Sequence, residues 1–208
     1  TLDRFITTPL KINGEISLRI HHYLLSKETS LSDVVKIYSH PQALAQCRQW
    51  LANHCPDCEL IAVNSNSKAA EMVASERGSA AIAANKAAEL YYLVTLASNI
   101  EDEVDNTTRF LVIGRQDISP SGHDKTALLV STKNEPGALN TILEPLAKSG
   151  ITMTRIESRP SRQGVWEYVF FIDIEGHRED SNIAKALAEL KEASSMFKVL
   201  GSYPKAVL

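Results

Sequence analysis

The sequence predicts a two-part α/β protein, in which a first half of alternating strands and helices is followed by a second half with the order β-α-β-β-α-β. Short apolar runs alternate with helical stretches up to residue 113, which indicates a mostly parallel sheet with helices on its faces. A polar segment at residues 116–125, containing Pro120 and Gly122, separates the two patterned regions. Apolar residues make up 44% of the 208 residues and charged residues 23%, as in a globular chain that buries a core.

The elements of the first half are predicted from β-rich or continuous apolar runs and from apolar residues that repeat every three or four positions. The helix at residues 43–52, for example, carries Leu44, Cys47 and Leu51 on one face. The predicted strands are residues 16–25, 34–38, 60–63, 80–84 and 110–113, and the predicted helices are residues 43–52, 68–75 and 87–97.

The second half is predicted in the same way. Apolar residues between positions 139 and 146 form the stripe of an amphipathic helix, which we expect to stop near Gly150. A second helix is marked by Ile183, Leu187 and Leu190. With strands at residues 126–131, 151–158, 165–174 and 196–200, this order predicts a four-stranded antiparallel sheet with two helices on one face, the ferredoxin-like arrangement.

Charge and cysteine content exclude several classes of function. The net charge is −3, with basic and acidic side chains divided evenly between the halves, so we expect no nucleic-acid partner. No apolar run approaches the roughly 18 residues of a membrane-spanning helix, and no secretory leader opens the chain. Three cysteines, an odd and small number, favour a reducing compartment, and we therefore expect a cytoplasmic protein without membrane association.

Two predicted strand-to-helix junctions carry small polar residues. At the first, Ser39 and Gln42 fit a capping box with Pro41 in the first turn, but free N–H groups beside Ser39 and His40 also fit a carboxylate site. At the second, Ser67 fits either a helix cap or another anion-binding helix start. Because ligands collect at the carboxyl ends of strands in α/β sheets, both junctions would point into one crevice.

Three shorter motifs have structural interpretations. The pair Cys55 and Cys58 lacks the further ligands of a zinc site and does not open a helix after a strand, so we interpret it as a loop. His21 and His22 should face opposite sides of a strand, one of them in the core or a cleft and the other exposed. The acidic run at residues 101–105 is interpreted as a solvated loop.

Thr108 and Arg109 directly follow the acidic run, at the mouth of a predicted strand. A hydroxyl there could protonate or orient an oxygen, and a guanidinium could hold a carboxylate through two parallel hydrogen bonds. These two residues are therefore candidate functional residues.

The motifs, taken together and in order, resemble those of the prephenate dehydratase domain. Three motifs carry the resemblance. They are the Thr-Arg-Phe within residues 106–110, residues 39–42, and a longer motif that begins with Ile-Asn-Gly-Glu at residues 12–15 and continues with Leu18, Ile20 and His22. The second half resembles the ACT domain, a regulatory amino-acid sensor. There the motifs are Asn-x-Pro-Gly-Ala-Leu at residues 134–139, Glu-Ser-Arg-Pro at residues 157–160 and Gly-x-Tyr-Pro at residues 201–204.

The resemblance implies an enzyme that converts prephenate to phenylpyruvate with loss of water and carbon dioxide, without a metal or organic cofactor. It implies a catalytic domain similar to a two-lobed periplasmic binding protein, with the active site between the lobes. Thr108 is the implied proton donor to the leaving ring hydroxyl. A positioned proton donor of this kind raises the rate of a reaction by ~10²–10⁴-fold. The implied substrate-binding residues are Ser39, His40, Gln42, Ser67, Arg109 and Phe110.

For the second half, the resemblance implies feedback inhibition by phenylalanine bound between two ACT domains, and hence a homodimer or homotetramer. Backbone N–H groups at the turn before the helix would suit the amino acid's carboxylate, and residues 157–160 would close the pocket from the neighbouring subunit. The implied effector-binding residues are Asn134, Pro136, Gly137, Ala138, Leu139, Glu157, Ser158 and Arg159.

The resemblance also predicts a domain division. Residues 1–115 would form one lobe of the catalytic domain with a returning strand, residues 116–125 a linker and residues 126–208 the ACT domain. Family members begin with a further lobe that ends in a Glu-Asn-Ser/Thr…Gly segment, which these 208 residues lack. We therefore expect this chain alone to be inactive or nearly so, although the native protein is active. We expect the apolar face of the returning strand, from Phe110 onward, to be exposed or paired in an unnatural way. A non-catalytic amino-acid-binding module is the alternative.

Overall fold

The computed structural model describes residues 2–103, 105–132, 135–160 and 168–206. The chain forms two compact units, Leu18–Thr108 and, as the second, Thr1–Ser17 together with Arg109–Leu208. We call them the 18–108 unit and the ferredoxin-like unit. Among the described residues, none of the helices combines the length and the apolar character needed to span a bilayer.

Eleven strands and six α-helices are present in the described residues. The strands are β1 Lys11–Arg19, β2 Tyr23–Ser26, β3 Lys36–Ser39, β4 Glu59–Ala62, β5 Ser79–Ala83, β6 Val94–Ser98, β7 Thr107–Gly114, β8 Asp124–Ser131, β9 Met153–Pro160, β10 Tyr168–Glu175 and β11 Met196–Pro204. The helices are α1 Pro41–Gln46, α2 Arg48–His54, α3 Asn66–Val73, α4 Asn85–Tyr91, α5 Ala138–Lys148 and α6 Ser181–Ala193.

The 18–108 unit is built on a five-stranded sheet with the order β4-β3-β5-β2-β6. The strands β4, β3 and β5 are parallel, whereas β2 runs antiparallel to both of its neighbours. Ile37 on β3 packs with α1 and α2, and its neighbour Tyr38 packs with α3. Since successive side chains of a strand point to opposite faces, the helices cover both faces of this sheet. The α/β prediction for the first half is therefore confirmed.

Three predicted elements of this half are wrong in detail. The predicted helix at residues 43–52 is two helices, α1 and α2, which Cys47 separates. The predicted strand at residues 16–25 is two strands, β1 and β2, in different sheets. The chain leaves the ladder between them, where the N–H of Ile20 donates to Asn106 and that of His22 to Glu101. The predicted helix at residues 87–97 ends at Tyr91, because Tyr92 adopts a left-handed conformation with φ 54°. The following residues form β6 instead, which pairs with β2.

The ferredoxin-like unit contains the predicted β-α-β-β-α-β order. Its four strands have the order β11-β8-β10-β9, and every neighbouring pair is antiparallel. Apolar residues of α5 and α6, such as Ile142 and Leu190, share one core with Leu128 and Ile172 of the sheet, so both helices cover the same face. Gly150 adopts φ +64° directly after the residue that caps α5, as predicted. Residues 165–167 of one predicted strand lie outside the described residues.

The other face of this sheet is covered by the amino-terminal residues. Phe5 and Ile12 pack with Leu129, Phe171 and Tyr203. A Cβ at Gly201 would lie 2.0 Å from the Ile12 carbonyl oxygen, so the close approach of the two backbones requires glycine at this position.

β1 and β7 form a separate two-stranded sheet, which we call the ribbon. Several of its apolar side chains are exposed, as expected for the strand that begins near Phe110. They are Ile16, Leu18, Phe110, Val112 and Ile113.

Candidate functional site

The 18–108 unit contains a pocket of about 340 Å³, which we call the polar pocket. It lies where the starts of α1 and α3 meet the residues that lead into β2 and β7, so the two helix starts converge as the order of elements predicts. Its lining residues are Ile20, His22, His40, Gln42, Ala43, Gln46, Asn64, Ser65, Asn66, Ser67, Asn106 and Thr108.

The start of α1 is capped by His40 and not by Ser39, which corrects the predicted capping box. His40 Nδ1 accepts the hydrogen bond of the Gln42 N–H at 3.2 Å, and Pro41 is the first helical residue. Because β3 extends to Ser39, the cap falls one residue later than predicted. An Nδ1 that accepts a hydrogen bond places the proton of a neutral imidazole on Nε2, so His40 can donate from Nε2 to a ligand.

Ser39 is fully buried and does not line the polar pocket. Its hydroxyl lies 3.0 Å from Asn66 Oδ1 and 2.8 Å from the Ile82 carbonyl oxygen. Asn66 Oδ1 also accepts the His40 N–H at 3.2 Å. Ser39 therefore acts on the pocket through Asn66, which links the starts of α1 and α3.

The start of α3 is capped by Ser65 and not by Ser67. Ser65 Oγ accepts the Lys68 N–H at 3.1 Å, so Ser67 lies in the first helical turn with an exposed side chain. Within the described residues, the Ser67 hydroxyl has no hydrogen-bond partner, and first-turn N–H groups lack intrahelical acceptors. This helix start therefore offers both a hydroxyl and backbone N–H groups to an anion.

The wall between these helix starts and β7 is a directed chain of hydrogen bonds. Asn106 Nδ2 donates to the Ile20 carbonyl at 3.3 Å, and since a carbonyl only accepts, Asn106 Oδ1 is free to accept from Gln46 Nε2 at 3.1 Å. The Gln46 oxygen then faces His22 Nε2 at 2.9 Å, which places a proton on that nitrogen. Every group in the chain has a fixed donor or acceptor role.

The acidic run is only partly the solvated loop that was predicted: Glu103 and Asp105 are exposed, whereas Glu101 and Asp102 have partners in the fold. The Glu101 side chain is 4% exposed and accepts hydrogen bonds from the His22 N–H at 2.8 Å and from His21 Nδ1 at 2.7 Å. Burial alone would raise the pKa of Glu101, but these hydrogen bonds hold it below its usual value. Asp102 accepts the N–H groups of Gln49 and Trp50 at the start of α2. Residue 104 of this run lies outside the described residues.

The two histidines are placed as predicted, although in the connection between strands. His22 is 4% exposed and lines the polar pocket, whereas the His21 side chain is 39% exposed. Cys55 and Cys58 lie in the predicted loop after α2 as free thiols, and burial raises the pKa of Cys55 to about 11.

Thr108 and Arg109 have different surroundings although they are consecutive on β7. Thr108 lines the polar pocket, and within the part of the chain described its hydroxyl has no hydrogen-bond partner. The Arg109 guanidinium is bonded to Glu15, Asp173 and Tyr203 in the ferredoxin-like unit. Burial opposes its charge, but Tyr203, Asp173 and Glu15 together raise the pKa of Arg109. Neither Arg109 nor Phe110, which is half-exposed on the ribbon, lines the polar pocket.

The polar pocket is thus lined by neutral donors and contains no Lys or Arg among its described residues. It is suited to an oxyanion held by N–H and O–H groups in place of ion pairs. No group of three or more His, Cys, Asp or Glu side chains is arranged to hold a metal ion in the described parts of the chain. Sequence reasoning missed Gln46 and Asn66, amide side chains that are the last residue of α1 and the first residue of α3.

The predicted effector-binding residues lie in two places. Gly137, with φ 80°, precedes α5, and beside this helix start is a pocket of about 330 Å³. Leu139 is exposed, and Asn134 lies outside the described residues. The lining of the pocket consists of Thr132, Glu135, Pro136, Ala138, Thr141 and residues 192–195.

Glu157, Ser158 and Arg159 lie on β9, at the edge of the sheet. Arg159 Nε donates to Glu157 Oε1 at 2.8 Å and holds the pKa of Glu157 below its usual value. The guanidinium lies 6.0 Å from the centre of the Phe171 ring. In this single chain, the described lining of the α5 pocket contains none of these three residues.

The fold and the site together define a class of protein: an α/β domain with a polar pocket, accompanied by a ferredoxin-like domain. The family model for prephenate dehydratase matches residues 1–118, and that for the ACT domain matches residues 126–192. The chain belongs to the prephenate dehydratase family.

Relatives and solved structures agree with this family. A bifunctional chorismate mutase/prephenate dehydratase of Pseudomonas aeruginosa is 53% identical over the whole chain, which spans 57% of that protein. A solved prephenate dehydratase of Arthrobacter aurescens in complex with L-Phe is 37% identical, with a TM-score of 0.86 over 99% of this chain and 70% of that one. A structure described as GqqA, a quorum-quenching acylase, is also 37% identical, with a TM-score of 0.81 over 95% of this chain and 73% of that one.

Proposed function

We propose that this chain is part of a prephenate dehydratase, which dehydrates and decarboxylates prephenate to phenylpyruvate at the polar pocket. The observation that carries the proposal is the position of Thr108, which lines the same pocket as the starts of α1 and α3 and whose hydroxyl has no hydrogen-bond partner among the described residues. Hydroxyl, N–H and amide donors around one cavity suit an acid with a leaving hydroxyl group.

The proposed step balances with one proton donor and no redox change. The bond between the ring carbon and its hydroxyl oxygen breaks, and the oxygen leaves as water with a proton from the Thr108 hydroxyl. The bond between the ring and its carboxylate breaks at the same time. The electron pair of that bond enters the ring, which becomes aromatic, and the carboxylate leaves as carbon dioxide. Solvent returns a proton to Thr108.

The substrate's carboxylates would be bound by neutral groups. His40, Gln42 and Ser67 all border the pocket, and their side-chain donors have no acceptor among the described residues. Ser39 would contribute by fixing Asn66 between the two helix starts. Arg109 and Phe110, which the resemblance implies as binding residues, receive less support because neither borders this pocket.

The whole protein would be longer than this chain, which spans little more than half of its curated bacterial relative. We propose residues 1–115 as part of the catalytic domain, residues 116–125 as the linker and residues 126–208 as the ACT domain. The missing part of the catalytic domain would lie outside these residues, and the chain alone would be inactive.

Phenylalanine would be the feedback inhibitor, bound between two ACT domains of a homodimer or homotetramer. The support is a related structure, 37% identical, that contains L-Phe. The residues at the start of α5 and those at 157–159 on β9 would belong to one effector site across the two subunits. The three free cysteines favour the cytoplasm, a reducing compartment.

The test is Thr108→Ala in the full-length protein, with formation of phenylpyruvate as the measurement. We expect kcat to fall by ~10²–10⁴ with little change in KM, and Thr108→Ser to restore most of the rate. The matched control is Thr107→Ala, because Thr107 precedes it on the same strand and does not border the pocket. Equal kcat in Thr108→Ala and Thr107→Ala would contradict the assignment of Thr108.

The alternative, a non-catalytic amino-acid-binding module, has a different signature. A full-length protein that binds phenylalanine, seen as a rise in melting temperature, but forms no phenylpyruvate would support the module over the enzyme. The same preparation should be assayed for hydrolysis of acylated amines, since one structural relative is described as an acylase.

A further inference from the structure

The charges around Arg109 form the most extensive buried ion network in the described part of the ferredoxin-like unit. Arg109 Nε donates to Glu15 Oε2 at 2.6 Å, Nη2 donates to the Tyr203 hydroxyl at 2.7 Å, and Nη1 donates to Asp173. Lys125 Nζ binds the other oxygen of Glu15 at 2.9 Å. We call these five residues the Arg109 cluster.

The cluster joins the ribbon to three strands of the four-stranded sheet. Arg109 and Glu15 come from β7 and β1, while Lys125, Asp173 and Tyr203 come from β8, β10 and β11. The Glu15 and Asp173 side chains are only 2% and 9% exposed. Buried charges of this kind tolerate few alternative arrangements, because each displacement leaves a charge without its partner.

Each of the three guanidinium nitrogens therefore already donates a hydrogen bond to another residue of the protein. A bidentate clamp on a substrate carboxylate would have to displace Glu15 or Asp173 first. What the cluster does instead is fix the position of β7 at Arg109, and the preceding residue of that strand is Thr108. General-acid catalysis is sensitive to such positioning, since an error of ~1 Å can cost about 10²-fold in rate.

We propose that Arg109 is a positioning residue that couples the regulatory sheet to Thr108, and that it does not bind the substrate. The proposal rests on the proposed function of the polar pocket. A change in the sheet on effector binding would move Asp173 and Tyr203, and through Arg109 it would shift the strand that carries the proton donor. Coupling between sites in proteins is commonly 5- to 150-fold in affinity, which is enough for feedback control.

Tyr203→Phe in the full-length protein is the test, because it removes only the hydroxyl that accepts from Arg109 and leaves the buried ring in place. We expect kcat to fall about 3- to 10-fold with KM for prephenate within about twofold. The phenylalanine concentration for half-inhibition should rise about 3- to 10-fold, while phenylalanine still raises the melting temperature. A merely structural role would not separate inhibition from binding in this way.

Tyr168→Phe is the matched control, since Tyr168 is an exposed tyrosine on β10 outside the cluster. It should match the wild type in every measurement. Arg109→Lys tests the competing role: a tenfold rise in KM at unchanged kcat, with Tyr203→Phe indistinguishable from Tyr168→Phe, would overturn the inference and make Arg109 a substrate-binding residue. A wild-type protein that forms no phenylpyruvate would instead overturn the proposed function itself.

Discussion

The polar pocket and the Arg109 cluster are both rich in polar side chains, but they differ in whether those side chains have partners. In the pocket, the described surroundings offer no hydrogen-bond partner to the hydroxyls of Thr108 and Ser67. In the cluster, Arg109 and Glu15 are surrounded by opposite charges and hydrogen-bond donors or acceptors. Unpartnered donors around a cavity are available to a ligand, whereas the groups of a saturated cluster already bind one another, and the removal of one of them destabilises the fold.

The largest expected effect is the loss of stability when the Arg109 cluster loses its guanidinium group. Arg109→Met leaves the buried Glu15 and Asp173 without their shared cation and should lower the free energy of unfolding by about 3–5 kcal/mol, measured by urea denaturation. Arg115→Met, an exposed arginine directly beyond β7, should change it by about 0.5 kcal/mol or less. If the two variants were equally stable, the cluster would not be the saturated structural element described above.

A smaller effect is expected at Glu101, next to the pocket. Glu101→Gln places an amide against the His22 N–H and should cost about 1.5–3 kcal/mol at neutral pH. Because folding lowers the pKa of Glu101 below 4.5, its contribution is complete above that value and is lost as the pH falls through and below it. The difference between wild type and variant should therefore shrink between pH 6 and about pH 3 in thermal denaturation. A difference that stays constant with pH would contradict this account, and Glu103→Gln, an exposed neighbour, is the control.

The smallest expected effect distinguishes the two roles of His40, as the cap of α1 and as a hydrogen-bond donor to the substrate. His40→Ala removes the cap of α1 and should cost about 1 kcal/mol, whereas His40→Asn should retain most of the stability, because Asn is a good capping residue. Both variants lack the Nε2 donor, so both should raise KM for prephenate in the full-length protein. A KM that recovers in His40→Asn would show that only the cap matters.

Much of the fold follows from local patterns in the sequence. The β-α-β-β-α-β order was predictable because the helical stripes and apolar strand runs of the second half are uninterrupted. The convergence of the helix starts near Ser39 and Ser67 was predictable because both follow parallel strands. The caps themselves fall on His40 and Ser65, and these could not be predicted, since one or two residues of strand length decide which side chain reaches the first N–H groups.

The remaining features depend on contacts between residues far apart in sequence. Nothing near Glu101 indicates that His21 and His22, some 80 positions earlier, will bury it. Of the partners of Arg109, Glu15 lies 94 positions before it, and Asp173 and Tyr203 lie 64 and 94 positions after it. Residues 94–98 continue a helical pattern, and only the left-handed Tyr92 and the pairing with β2 make them a strand.

The division of the chain has a consequence for its biosynthesis. Phe5 and Ile12 precede the 18–108 unit in the chain, yet they pack against Phe171 and Tyr203, which follow that unit. The 18–108 unit is continuous in sequence and can complete its sheet in the meantime. The apolar side chains of this segment therefore lack their permanent neighbours until the whole 18–108 unit has been synthesised, and such transiently exposed apolar surface is prone to aggregation.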